Sequence, residues 1–158
     1  MQKVSVAVKK WAHFRGDLPS YGSLHASGFD LRAQLKASIA VKPGERVMVP
    51  TGLSFAIPPG YEIQVRPRSG WAAKKGVTVI NSPGTVDADY RGEVLVALVN
   101  LGNEPLEILD QDRIAQAVLC PVVQVEFQEA AELDSTERGA GGFGSTGFGE
   151  KAKPIGIS

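Results

Sequence analysis

Three segments of this sequence bring together residue types that could handle a phosphate ester. The first is Arg66-Pro-Arg-Ser-Gly70, which leads into a short helical pattern, Ser69-Gly-Trp-Ala-Ala-Lys-Lys-Gly76. There Ser69 suits the N-cap, Lys74 and Lys75 suit the negative end of the dipole, and Gly76 suits a left-handed position after the last turn. Open amides at a helix start attract anions, Arg66 and Arg68 flank them, and Gly70 lets a ligand approach the backbone. Taken alone, the segment reads first as an ordinary capped helix with two surface arginines.

The second segment is Asn81-Ser-Pro-Gly-Thr-Val-Asp-Ala-Asp-Tyr-Arg-Gly-Glu93, which sets Asp87 and Asp89 beside Tyr90. A carboxylate here could take a proton from water as a general base, and a solvated acidic turn is an equal alternative. A calcium loop is excluded, because its fifth position would be Arg91 and its twelfth, where a bidentate Glu is needed, would be Leu98. The third segment, Arg138-Gly-Ala-Gly-Gly-Phe-Gly-Ser-Thr-Gly-Phe-Gly149, has no Lys before Ser145-Thr146 and no strand leading in, so it is neither a P-loop nor a dinucleotide fingerprint. Such composition is usually a linker. Phe143 and Phe148 count against that, and Arg138, the backbone amides, Ser145 and Thr146 could wrap a phosphate chain while Phe143 stacks on a base.

Two smaller signals accompany these. Asp30, in Ser27-Gly-Phe-Asp-Leu-Arg-Ala33, is a carboxylate at an apolar strand start and needs partners or a metal. Arg113 and Gln116 precede Val118 and Leu119 in a predicted core strand. His13 and His25 have no Cys, His or acid at metal-ligand spacing and are assigned no role. Cys120 is read as a small buried apolar residue.

The elements that must position these groups are short. Gly and Pro punctuate runs rich in Val, Ile and Leu at residues 4–8, 39–41, 46–49, 53–57, 61–65, 77–80, 94–99, 114–119 and 122–127, several of them alternating apolar and polar residues. This predicts an all-β sandwich or barrel with one helix of under two turns. The Asn-Ser-Pro-Gly turn predicts that 77–80 and 94–99 pair as a long hairpin whose return arm presents Asp87, Asp89 and Tyr90.

Composition removes several function classes. Seventeen Lys and Arg balance seventeen Asp and Glu, so the basic excess that favours long nucleic acid or anionic membrane is missing. One Cys cannot form an internal disulfide, and the longest apolar run, 94–99, falls far short of the ~20 residues a spanning helix needs. The N-terminal run Met1-Gln-Lys-Val-Ser-Val-Ala-Val-Lys-Lys-Trp11 lacks the apolar core of a secretory leader, so the expected location is cytoplasmic. A single domain is expected, with a tail whose composition changes after Glu132.

In this order, residues 27–33, 67–72, 84–93, 113–119 and 138–147 resemble the five motifs of the trimeric dUTPase family, the deoxyuridine 5'-triphosphate nucleotidohydrolases, within a likeness running from about 24 to 149. Trp71 stands where the second motif commonly has Leu. The resemblance implies a distorted jelly roll (a dUTPase-like β-clip) over 1–133, one short helix, and a flexible glycine-rich C-terminal tail over 134–158. It also implies a homotrimer in which each active site draws motifs from three subunits, with no nucleic acid or membrane partner. The implied reaction is hydrolysis of dUTP to dUMP and pyrophosphate with Mg2+, which removes dUTP and supplies dUMP for thymidylate synthesis.

By the same resemblance, Asp87 is the catalytic base that activates water for in-line attack on the α-phosphorus. Arg68, Ser69, Gly70 and Gln116 bind phosphates, Asn81, Thr85 and Val86 read the uracil edge, and Tyr90 stacks on the deoxyribose. Phe143 covers the uracil, while Arg138, Gly144, Ser145 and Thr146 hold the terminal phosphates. The metal is carried mainly by the triphosphate, with Asp30 reaching it through water. A dCTP deaminase or bifunctional deaminase of the same fold is the alternative, disfavoured because such relatives carry a Glu where this chain has Asp87 and lack the tail. A non-catalytic nucleotide-binding module is the second alternative, against which stands the absence of any visibly degenerate motif.

Overall fold

The computed structural model describes residues 3–142. The chain divides after Gln124, and every strand and the helix among the described residues lie before that point. The order is β1 (Ala7–Lys10), β2 (Phe29–Arg32), β3 (Ile39–Val41), β4 (Arg46–Pro50), β5 (Leu53–Ala56), β6 (Tyr61–Arg66), α1 (Ser69–Lys75), β7 (Val77–Val79), β8 (Gly84–Val86), β9 (Leu95–Asn100), β10 (Leu106–Ile108) and β11 (Arg113–Pro121). This is a distorted jelly roll with one short helix. Its strands pair antiparallel in four small sheets: β2-β11-β6-β8, β4-β9-β7, β1-β5 and β10-β3.

Period-2 patterning accounts for the largest sheet. Along β6, Ile63 and Val65 are buried while Glu62, Gln64 and Arg66 turn to the opposite face. On β11, Ala115 and Ala117 are buried and Gln116 faces out between them. Side chains this small bring the flanking backbones close, and a Cβ on Gly28 would meet the Ala117 carbonyl oxygen and Val118 Cγ2 at 3.0 Å each. The buried side of this sheet joins Leu31, Val96, Leu98, Ile108 and Ile114 in one apolar core. Truncating a large aliphatic core residue of this kind to Ala typically costs about 2–5 kcal/mol.

Several sequence expectations change on folding. The strands at 77–80 and 94–99 do pair, through Val77↔Asn100 and Val79↔Leu98. The segment between them is not a simple hairpin arm, because Gly84–Val86 crosses to the other sheet and pairs with β6, Val86 opposite Ile63. No strand forms over 122–127. Pro121 ends β11, Val122 N–H still reaches the Gly60 carbonyl at 2.9 Å, and beyond it Val123 is 94 % exposed with no strand edge to join among the described residues. Cys120 is half-buried rather than buried, its Sγ 3.7 Å from Arg66 Nη2.

At the helix, Arg68 and not Ser69 is the N-cap. Its backbone is extended (φ −88°, ψ 126°), and its carbonyl accepts the N–H groups of Trp71 and Ala72 at 3.1 and 3.0 Å. Gly76 ends the helix in the left-handed region at φ 68°, as expected, where its backbone passes so close to Gly102 that neither position has room for a Cβ. Trp71 is partly buried against the core, with Lys75 Nζ 5.9 Å from its ring centre.

Asn100 locks the end of β9. It is fully buried, donates to the carbonyls of Val41 and Glu104 at 2.9 and 2.8 Å, and accepts the Gly102 N–H at 2.9 Å. Asn100→Ala removes three hydrogen bonds at once, the one to Val41 fully buried and those to Glu104 and Gly102 partly so, so urea unfolding should show a loss of about 2–4 kcal/mol.

Candidate active site

The register of β11 builds the first half of the site. Gln116 lies opposite Asp30 on β2 and opposite Arg66 on β6, so these three side chains form a row on the outward face of the sheet. Just past the end of β6, Arg68 Nε comes within 3.1 Å of Asp30 Oδ1, and Arg113 Nη1 lies 3.3 Å from Oδ2. Arg68 Nη1 also donates to the Arg113 carbonyl at 3.2 Å. The Arg68 pair is close enough for charge compensation but not aligned as a hydrogen bond, so Asp30 Oδ1 is buried with no donor directed at it. The expectation that this carboxylate needs partners is met by two guanidiniums.

Arg68 also begins the helix, and no side chain caps it, so the amides at Ser69 and Gly70 sit in the uncapped first turn beside that guanidinium. Arg68, Ser69, Gly70 and Gln116 thus gather at one end of the four-stranded sheet. A cavity of about 440 Å³ adjoins them, lined by Asp30 and Arg113 together with Arg15, Arg32, Gln34 and Gln111. Arg15 in its wall pairs with Asp110 at 2.6 Å. The Leu35 N–H and this guanidinium hold the Asp110 carboxyl below the usual carboxylate range.

The second half lies around β8. Asn81, Thr85, Val86, Asp87 and Tyr90 all line one cavity of about 180 Å³. Gly84 keeps this arrangement uncrowded, since a Cβ there would sit 3.1 Å from Asn81 Nδ2 and 3.4 Å from Val65 Cβ. One bond further back, the Ser82-Pro83 peptide is cis. After β8 the chain turns through a Tyr90 N–H to Asp87 carbonyl bond of 3.1 Å, leaving the Asp87 side chain exposed at the cavity rim. The Tyr90 hydroxyl donates to the Glu93 carbonyl at 2.9 Å.

These two halves do not meet within one chain. Because β8 runs antiparallel to β6, Val86 sits three residues, roughly 10 Å, from the Arg66 end of β6, and Asp87 continues away from it. None of Arg68, Ser69, Gly70 or Gln116 lines the cavity that holds Asp87. Arg138 lies in the segment after Gln124, where its Nε donates to the Gly141 carbonyl at 2.9 Å. Phe143, Gly144, Ser145 and Thr146 lie outside the described residues.

Sequence reasoning passed over two members of the site. Glu93 is tied by Oε1 to the Gly52 N–H at 2.7 Å and to His13 Nε2 at 2.9 Å. His13 has no Cys, His or acid at metal-ligand spacing, and its partner is 80 positions away, so nothing local signals the contact. Asp89 does not line the cavity of Asp87.

No group of three or more His, Cys, Asp or Glu suited to a metal occurs among the described residues. Asp30 Oδ1 is closed off beside Arg68, so the oxygen left to meet a water carried on a hydrated cation is Oδ2, on the partly exposed side of the carboxylate.

A β jelly roll bearing a polar row at one sheet end and a small cavity beside its edge strand is the class these observations define. The dUTPase family model matches residues 15–147, and the chain belongs to that family. It is 65 % identical over 147 residues to the deoxyuridine 5'-triphosphate nucleotidohydrolase of Bdellovibrio bacteriovorus, covering 93 % of this chain and 99 % of that relative. Among solved structures, the dUTPase of Staphylococcus bacteriophage 80alpha with dUPNHPP superposes with a TM-score of 0.81 at 24 % identity, covering 92 % of this chain and all of the other. The dUTPase of phage phi11 of S. aureus, described with a structural Mg(II) ion, gives 0.73 at 19 % identity, covering 82 % of this chain and 98 % of that one. At those identities the structures show a shared fold. No described helix is long and apolar enough to cross a membrane.

Removing the charge that Arg68 and Arg113 share should leave two guanidiniums uncompensated beside each other. Asp30→Asn is expected to lower stability to urea by about 1–3 kcal/mol, the lower part of the range reflecting partial solvent access.

Proposed function

We propose that this chain hydrolyses dUTP to dUMP and pyrophosphate, removing dUTP and supplying dUMP for thymidylate synthesis in the cytoplasm. The observation that carries this reading is the shared cavity of Asn81, Thr85, Val86, Asp87 and Tyr90 in a member of the dUTPase family. Backbone groups and the Asn81 amide at β8 suit the edge of a uracil. A close backbone slot excludes a 5-methyl by overlap, and it leaves the amino group of cytosine facing a donor, the costlier mismatch. Tyr90 would stand against the deoxyribose and crowd a 2'-hydroxyl.

Asp87, at the rim of that cavity, is the proposed general base. It takes a proton from water as the water oxygen bonds to the α-phosphorus, and the bond from that phosphorus to the bridging oxygen breaks in line, releasing pyrophosphate. Arg68, with the amides of Ser69 and Gly70, and Gln116 are the proposed phosphate donors. Magnesium, when bound, would be held by the substrate phosphates with one of its waters on Asp30, and would supply charge neutralisation at the phosphate oxygens. Arg138, Gly144, Ser145 and Thr146 would hold the terminal phosphates and Phe143 would cover the base.

The separation of the two halves supports a homotrimer in which one subunit's Asp87 cavity faces another's Arg68 row. A second observation favours it. The outward face of β4-β9-β7 leaves Met48, Ile80 and Leu95 exposed at 56 %, 47 % and 45 %, and Leu95 also lines the Asp87 cavity, so an apolar patch borders the site.

Pyrophosphate and ammonia release should be measured on dUTP, dTTP, dCTP and UTP, with and without magnesium. Pyrophosphate from dUTP should dominate, and ammonia from dCTP at a comparable rate would overturn the reading in favour of a deaminase. Asp87→Asn should bind dUTP with little change while kcat falls by roughly a hundredfold or more; a near-normal kcat removes the general-base role. Sedimentation equilibrium should report three chains, whereas an active monomer would contradict a site shared between subunits.

A further inference from the structure

His13 and Glu93 are 80 positions apart in the chain, yet His13 Nε2 and Glu93 Oε1 are separated by 2.9 Å. A carboxylate only accepts, so Nε2 is the donor and carries the proton. The same oxygen accepts the Gly52 N–H at 2.7 Å, and the Glu93 side chain is only 17 % exposed. One carboxylate oxygen therefore joins the N-terminal segment and the approach to β5 to the end of the turn over 87–93. Trp11 braces the same turn one residue earlier, at Gly92: its Nε1 donates to Ser54 Oγ at 2.8 Å, and the Ser54 hydroxyl donates to the Gly92 carbonyl at 2.7 Å.

What this bracing holds is Tyr90. Its hydroxyl donates to the carbonyl of the same Glu93, and its ring fills the space that any side chain at Gly92 would need. Tyr90, Glu93 and Asp87 line one cavity. A shift of the Glu93 backbone would therefore move the acceptor that sets how far the Tyr90 ring reaches over that cavity.

We propose that His13 is a positioning residue for sugar selection: by anchoring Glu93 it fixes the Tyr90 ring at the height that admits a deoxyribose and rejects a ribose. This rests on the reading above that Tyr90 faces the sugar. His13 touches no substrate and acts only through Glu93.

The test is steady-state pyrophosphate release by the full-length protein on dUTP and on UTP, for the parent, His13→Ala, His13→Gln and Tyr90→Ala. His13→Ala should lower the ratio of kcat/KM for dUTP over UTP by about fivefold or more, chiefly through a lower KM for UTP as the released ring admits the 2'-hydroxyl. His13→Gln, whose amide N–H can reach the same oxygen, should return the ratio to within about twofold of the parent. A role in stability alone would lower active concentration for both substrates equally and leave the ratio unmoved. If Tyr90→Ala collapses the ratio while His13→Ala leaves it intact, the positioning role is wrong and the reading of Tyr90 stands. If Tyr90→Ala itself leaves the ratio unchanged, the reading of Tyr90 fails and the proposal falls with it. Should His13→Ala not fold, His13→Asn, which is polar but too short, carries the same expectation.

Discussion

The register of β11 between β2 and β6 is the constraint on which the rest depends. With Gln116 opposite both Asp30 and Arg66, the polar members of three strands line up outward, and Ala115 and Ala117 turn into the core. A slip of one residue would bury Gln116 and expose Ala117, losing the row and the core layer together. Small buried residues on β11 and the bare Gly28 on its neighbour let these backbones approach. The register shift between Arg113, still paired with Arg32, and Ala115 comes just beside the contact of Arg113 with Asp30.

Charge is arranged locally in a chain whose formal sum is zero. Asp30 is shared by Arg68 and Arg113, Asp110 is held by Arg15 and the Leu35 amide, and Glu93 is held by His13 and the Gly52 amide. Each of these carboxylates joins segments far apart in sequence. At the Arg68 end, two cations converge on a single carboxylate beside a helix start, which leaves that end with a positive surplus. A triphosphate needs no more than such a local surplus, so a neutral composition and an anionic small molecule are compatible.

The two halves of the site ask different things of the fold. The Arg68 end needs a rigid ladder, because charged donors gain most when they are held in place before the charge arrives. The Asp87 end needs a turn that can present a carboxylate and an aromatic ring together, and it takes its rigidity from outside the turn, from Trp11, His13 and Ser54. Their separation on one chain leaves each half incomplete for the proposed chemistry. The exposed apolar side chains of Met48, Ile80 and Leu95 border the Asp87 half, where Leu95 also lines its cavity.

Much of this was legible in local pattern. The strand over 39–41, the strand at Tyr61, the pairing of 77–80 with 94–99, and the helix with its Gly76 terminus all follow from periodicity and turn chemistry, which act over a few residues. The turn itself marks Asp87 and Tyr90 as candidates, whereas Asn81, Thr85 and Val86 enter only through the family resemblance. Local pattern misled where a strand needs a partner edge. Residues 122–127 alternate correctly but find none beyond Pro121, and 84–86 leaves its hairpin to pair with β6. It also misplaced the helix cap by one residue, since Ser69 and Arg68 differ there only in backbone angles. Residue types and short-range spacing determined which groups could do chemistry. Tertiary structure alone decided that His13 reaches Glu93, that Asp30 takes two arginines, and that Asp87 stands apart from Arg68, because each depends on which distant strands are neighbours and in what register.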